Sequence, residues 1–187
     1  MSGARSARPG KPWRRLEALR LARCRIFDLD RVRFQPEGGG AARDFYVVEA
    51  PDWINVVPLT EDRRVVFVRQ FRFGADLLTL EIPGGMCDDG ESPRVSALRE
   101  LREETGYATD DLVDLGWVHP NPAFLSNRCH MFLARNVRRV GDPTPDEDES
   151  IEVVTVPLDD VPGLIRDGSI THALVIAAFH RLGLTIS

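Results

Sequence analysis

Between Gly84 and Tyr107 the chain reads GGMCDDGESPRVSALRELREETGY, and its glutamates Glu100, Glu103 and Glu104 stand at i, i+3 and i+4. In a helix, at roughly 100° per residue, they share one face within an arc of about 100°. Stability alone selects against this. Like-charged i,i+4 neighbours cost on the order of 0.2–0.5 kcal/mol, and negative charge near a helix C-terminus opposes the macrodipole. A bound divalent cation reverses the sign of both effects.

The helix has clear ends. Ser92 is a good N-cap, Pro93 suits the first helical position, and Gly106 sits where a left-handed residue closes a helix, so the spacing predicts Pro93 to Thr105. Val95, Leu98 and Leu101 project away from the glutamates and are expected to pack on a core. Arg99 lies beside the carboxylates, and its guanidinium fork can orient one of them. Upstream, Ile82-Pro83-Gly84-Gly85 reads as a turn whose glycines let the backbone come close to a ligand, so that a carbonyl there can join the glutamates around a metal. An oxygen-only set with few protein ligands suits Mg²⁺ or Mn²⁺, which keep waters and accept phosphate oxygens. The competing reading is a solvated, charged helix face.

Spacing decides between them. Gly85, Glu91, Arg99, Glu100, Leu101, Glu103, Glu104, Gly106 and Tyr107 resemble the Nudix box position by position: Gly, five residues, Glu, seven residues, Arg-Glu, a bulky apolar residue, any residue, Glu-Glu, any residue, Gly and a final bulky residue. Tyr107 departs mildly from the aliphatic residue usual at the end. The resemblance implies a mixed β-sheet sandwiched between helices, with the box helix central, and cleavage of a nucleoside diphosphate linked to another group.

The rest of the chain agrees with an α/β class. Extended segments are expected at Leu21 to Phe34 and Asp44 to Ala50, around a turn at Gly38-Gly39-Gly40, and then at Trp53 to Leu59, Val65 to Val68 and Leu78 to Ile82. Beyond the box follow Leu112 to His119, Cys129 to Arg135 and Ile151 to Val156, and helices at Leu158 to Arg166 and Thr171 to Leu182, with Gly183 as a stop. Strands mixed with helices on their faces define α/β architecture. The expected organisation is a disordered tail over 1–15, an N-terminal antiparallel strand extension over 16–50, and a hydrolase domain over 51–187.

With 187 residues, 43% of them hydrophobic, the chain suffices for one well-buried domain and is too short for two. A net charge of −5 provides no global basic field for long nucleic acids. No run approaches the roughly 18 apolar residues of a membrane span, and the arginine-rich start lacks the apolar core of a signal peptide. Cys24, Cys87 and Cys129 are widely spaced without zinc-type partners, which suggests a reducing cytoplasm. Cys87 reads as a loop filler, and His119, His130, His172 and His180 as packing or helix-end residues.

Outside the box, Val68-Arg69-Gln70-Phe71-Arg72, Leu80-Glu81-Ile82-Pro83-Gly84-Gly85, Pro122, and the acidic loop Asp146-Glu147-Asp148-Glu149 resemble ADP-ribose pyrophosphatases and related nucleotide-sugar hydrolases. That resemblance implies Glu100 and Glu104 as metal ligands, Glu103 sharing or bridging, and the Gly84 carbonyl completing the set. It also implies Glu149 as general base, with Glu147 and Glu152 as fallbacks. Arg72 is expected on a phosphate, against an ordinary strand-edge arginine. Trp53 is expected to stack on a base or ribose, against core packing. Asn127 stands where many such enzymes carry a substrate-contacting glutamate, which leaves GDP-mannose or a broad range of nucleoside diphosphate sugars as alternatives. The rival from another class is a non-catalytic nucleotide-sugar sensor. The weakly apolar N-terminal strands point to a homodimer, in which Trp53 serves the neighbouring site.

Overall fold

The computed structural model describes residues 12–144 and 150–185 and divides into two units, the first reaching Ala50 and taking in Asn121–Ser126, the second holding Pro51–Pro120 and the chain from Asn127. Glu147 and Glu149 lie outside the described residues.

The first unit is an antiparallel sheet of β1 (Trp13–Arg23), β2 (Asp28–Pro36) and β3 (Arg43–Glu49) in that order. It has three strands where the sequence suggested two. The stretch Leu21 to Phe34 is broken by a reversal at Cys24 to Phe27, where the Cys24 N–H donates to the Phe27 carbonyl at 2.9 Å. The first strand also starts inside the expected tail. Trp13 pairs with Pro36 in the ladder, and its ring meets Phe45 edge-on at 5.6 Å, contacts that order residues the composition alone would leave loose. Asn121–Ser126 joins this unit through main-chain bonds: the Val48 N–H donates to Phe124 O at 2.8 Å, and the Ser126 N–H to Val48 O at 3.1 Å.

The second unit is built on a mixed sheet formed by β4 (Trp53–Leu59), β5 (Arg64–Arg72), β6 (Leu77–Glu81), β7 (Gly84–Met86), β9 (Asp111–Val118), β10 (Cys129–Arg135) and β12 (Glu152–Pro157). Helix α1 (Pro93–Thr105) follows β7, and a small ladder pairs β8 (Tyr107–Ala108) with β11 (Arg138–Arg139). The chain closes with α2 (Val161–Arg166) and α3 (Ala173–Thr185). Strands β4 and β10 run parallel at the centre, while the other pairings are antiparallel. Both are nearly continuous apolar runs, as befits strands covered on both faces. Alternation along β10 sends Met131 and Leu133 into a core with Phe67, Val175, Ala178 and Leu182 of the α3 side, and Phe132 and Ala134 into a second core with Ile54, Val56, Ala97 and Leu101 beneath α1.

Three local expectations need correction. Gly84-Gly85 is not a free turn: β7 pairs with β4, Asn55 opposite Gly84 and Ile54 opposite Gly85. Val95 is 51% exposed, whereas Leu101 is buried and Leu98 packs on the core as expected, and the buried face of α1 is completed by Ser96, Ala97, Glu104 and Thr105. The stripe is rotated because Glu104 must turn inward toward β7. Helix α3 runs through Gly183, which is a tolerated interior glycine and no stop. Among the described residues, no helix is long and apolar enough to cross a membrane.

Candidate active site

Helix α1 is held at both ends as its sequence requires. The Ser92 side chain accepts the Val95 N–H at 3.4 Å, and Gly106, at φ 72°, donates its N–H to Arg102 O at 2.8 Å. These caps fix where the helix begins and ends, and its packing through Ala97, Leu101 and Glu104 sets the direction in which the glutamates face.

Glu104 is 2% exposed, and its Oε2 accepts the Gly84 N–H at 3.1 Å. Glu100 meets the next residue of β7. A Cβ placed on Gly85 overlaps the Glu100 carboxylate, and one on Gly84 overlaps the Ile54 carbonyl and comes within 3.0 Å of Asn55 Oδ1. The two glycines therefore let backbone and carboxylate approach more closely than any side chain permits.

Arg99 organises the remaining charge. Its Nη1 donates to Glu100 Oε1 at 2.9 Å and to Glu103 Oε2 at 3.0 Å, and its Nη2 to Glu91 Oε2 at 3.2 Å. Glu91 is further held by the Ser96 hydroxyl at 2.7 Å. The Arg99 fork and this hydroxyl keep the Glu91 carboxyl below its ordinary range. Partial burial works against the charged guanidinium, but the carboxylates around it outweigh that and raise its pKa. The sequence assigned Arg99 to one carboxylate, whereas it hydrogen-bonds three and forms a further ion pair with Asp88 at 3.6 Å.

Among the described residues, no group of three or more His, Cys, Asp or Glu side chains is arranged to hold a metal ion by itself. A hard cation of the Mg²⁺ type does not need that, since it binds through one or two carboxylates and keeps its waters. The oxygen-only donors and the missing Cβ at Gly85 fit such an ion.

The other expected residues fall in different places. Arg72 donates Nε and Nη2 to the two oxygens of Glu81, at 2.8 and 2.7 Å. Trp53 is half-buried and packs against the α3-side core. Asn127 is buried, donating Nδ2 to Pro51 O at 2.9 Å, while its Oδ1 is buried without a hydrogen-bond partner. Glu152 pairs with Arg69 at 2.6 Å across β12 and β5.

Sequence reasoning passed over two pairs. Glu81 is a buried carboxylate three residues before Gly84, and its signal was the period of two that sets Thr79 and Glu81 opposite Leu80 and Ile82. His130 Nε2 stands 3.0 Å from Asp52 Oδ2. Burial raises the Asp52 carboxyl, yet His130 and the Arg128 N–H outweigh it and hold the group below its ordinary value. No local pattern links positions 52 and 130, which meet only through the parallel pairing of β4 and β10.

A mixed sheet lies between helices, and its strand–loop–helix turns glutamates onto adjacent glycines. Residues 51–179 match the NUDIX domain, and the chain belongs to that family. It is 33% identical over 150 residues to the ADP-ribose pyrophosphatase of Bacillus subtilis (strain 168), covering 80% of each chain. It is 32% identical over 150 residues to the ADP-sugar pyrophosphatase of Mus musculus, covering 74% of this chain and 68% of that one. A crystal structure of an ADP compounds hydrolase is similar in fold, with a TM-score of 0.81 at 24% identity, covering 94% of this chain and 95% of that one.

Proposed function

We propose that the protein is a metal-dependent pyrophosphohydrolase that cleaves the diphosphate of an ADP-ribose-like nucleoside diphosphate sugar to a nucleoside monophosphate and a sugar phosphate. The observation that carries this reading is the apposition of Glu100 and Glu104 to Gly85 and Gly84. Relatives whose names specify ADP-ribose and ADP-sugars narrow the substrate class. GDP-mannose pyrophosphatases are also similar, at 30% identity over 132 residues for that of Cronobacter sakazakii, so a GDP-sugar is the second reading.

Glu100 and Glu104 would hold Mg²⁺ or Mn²⁺ with Glu103 and the Gly84 carbonyl. Such an ion supplies neutralisation of the diphosphate and a water of lowered pKa. The chain's own residues do the rest. Gly84 N–H orients Glu104, Arg99 orients Glu100 and Glu103, and Arg72 receives a phosphate oxygen on its guanidinium. Glu149 is assigned as the base that takes the proton of the attacking water. The enzyme works in the cytoplasm as a homodimer assembled through β1, whose residues are exposed along its whole length, Leu19 and Leu21 among them.

The test is product formation from ADP-ribose, GDP-mannose, UDP-glucose and diadenosine polyphosphates in Mg²⁺, compared by kcat/KM. Preference for ADP-ribose is expected. Tight binding of a nucleotide sugar with no turnover of any would replace hydrolysis by sensing.

A further inference from the structure

A carboxylate buried without compensation is costly, and Glu81 is 2% exposed at the end of β6. Its compensation is specific. Both oxygens are engaged by the parallel Nε and Nη2 bonds of Arg72, and Oε1 also accepts the Thr79 hydroxyl at 2.6 Å. The β5–β6 register pairs Arg72 with Leu77, Gln70 with Thr79 and Val68 with Glu81, so Arg72, Thr79 and Glu81 project from one face. His172 closes the far side, its Nε2 at 3.9 Å from Glu81 Oε2 and its Nδ1 buried without a hydrogen-bond partner.

The pair is asymmetric. Arg72 is 42% exposed and Glu81 2%, so the surface cation is tied to an interior anion. Apolar residues of similar volume would serve stability as well or better than a buried ion pair. What the fork provides is direction: two parallel bonds fix the plane of a guanidinium that a single contact would leave free to swivel. Only Ile82 and Pro83 separate Glu81 from Gly84, where the chain meets Glu104.

We propose that Glu81, backed by Thr79, is a positioning residue that presets the Arg72 guanidinium as a clamp for the substrate's diphosphate. The inference rests on the reading above in which Arg72 binds phosphate. A side chain already fixed in its binding orientation loses little further freedom when the anion arrives, so the effect falls on substrate affinity. Glu81 itself touches no substrate.

Steady-state kinetics with ADP-ribose in Mg²⁺, together with melting temperatures, test this on Arg72→Ala, Glu81→Gln, their double variant and Thr79→Val. Glu81→Gln is expected to raise KM about tenfold with kcat within about twofold, the scale of a lost charge-assisted hydrogen bond. Arg72→Ala should raise KM at least as much, and adding Glu81→Gln to it should change KM by less than about twofold, because the two act as one unit. Thr79→Val should raise KM about two- to threefold. Unchanged KM in Arg72→Ala would remove the phosphate role of Arg72 and this inference with it. A raised KM in Arg72→Ala with a normal one in Glu81→Gln, or a Glu81→Gln penalty of full size in the double variant, overturns the positioning inference alone. Should Glu81→Gln not fold, Thr79→Val decides, and unchanged KM at unchanged melting temperature refutes the inference.

Discussion

The carboxylate of Glu100 lies against the α-carbon of Gly85, leaving no space there for a methyl group. Gly85 is not in the left-handed region, so alanine is permitted by the backbone, and the cost of Gly85→Ala is purely steric. The substitution should displace Glu100 and lower kcat at least about tenfold, since a misplacement of about 1 Å suffices for large rate losses. The melting temperature should move by only a few degrees. Near-normal kcat would show that Glu100 need not sit where it does.

Glu104→Gln separates charge from shape. The amide oxygen of glutamine can still accept the Gly84 N–H, so the β7–α1 contact survives while the anionic ligand is lost. Loss of a catalytic metal ligand should cost several kcal/mol of barrier, and a fall of about 100-fold or more in kcat is expected. A variant retaining more than about a tenth of the wild-type rate would take Glu104 out of the metal set.

How much of this was legible in the sequence depends on how locally each feature is encoded. Helix α1 and strands β4 and β10 match their predicted spans because caps and apolar runs are local signals. The pairing of Gly84 with Asn55 was not legible, because a ladder partner some thirty residues away leaves no mark on a glycine pair. Val95 was misassigned for a related reason. Periodicity gives the spacing of an apolar stripe, but the burial of Glu104 against Gly84 sets which way the helix is turned. Trp53 is half-buried against the α3-side core and Asn127 is buried beside Pro51, environments that come from tertiary packing and that residue type alone does not reveal. The reversal at Cys24 to Phe27 contains no glycine or proline, the punctuation that normally reveals a turn.

The exposed apolar residues of β1 predict self-association. Sedimentation at micromolar concentration should give about twice the chain mass of 20.9 kDa, and Leu19→Glu should shift it toward the monomer by placing charge on that surface. A monomeric, fully active wild-type protein would rule the homodimer out.

The three cysteines differ in environment, so thiol labelling should resolve them. Cys24 is exposed, Cys87 half-buried and Cys129 buried. Burial pushes the Cys129 thiol up to about 12, and burial also raises Cys87 despite a hydrogen bond with Ser96. Since the thiolate is the reactive species, Cys24 should label first, Cys87 slowly and Cys129 only on unfolding. Rapid labelling of Cys129 in the native protein would contradict the packing of β10 between its neighbours.

Acid should destabilise the protein in two separable steps around Glu81. Burial lowers the His172 pKa, with Arg72 adding to the effect and Glu81 opposing it, so the folded chain takes up this proton at lower pH than the ordinary 6.5 of an unfolded histidine. Its contribution is present above pH 6.5 and is lost as pH falls through the lowered folded value, because the unfolded state then binds more protons. Glu81 acts in the same direction at lower pH. Burial raises its carboxyl, but Arg72 and Thr79 outweigh that and hold it below the ordinary 4.5, so its contribution is present above pH 4.5 and lost as pH falls through its folded value. The urea midpoint should therefore decline on going below pH 6.5 and decline again below pH 4.5. His172→Gln should flatten the first decline and leave the second, whereas Glu81→Gln should flatten the second. A His172→Gln profile that parallels wild type throughout would mean that His172 titrates in the folded protein as it does in the unfolded chain.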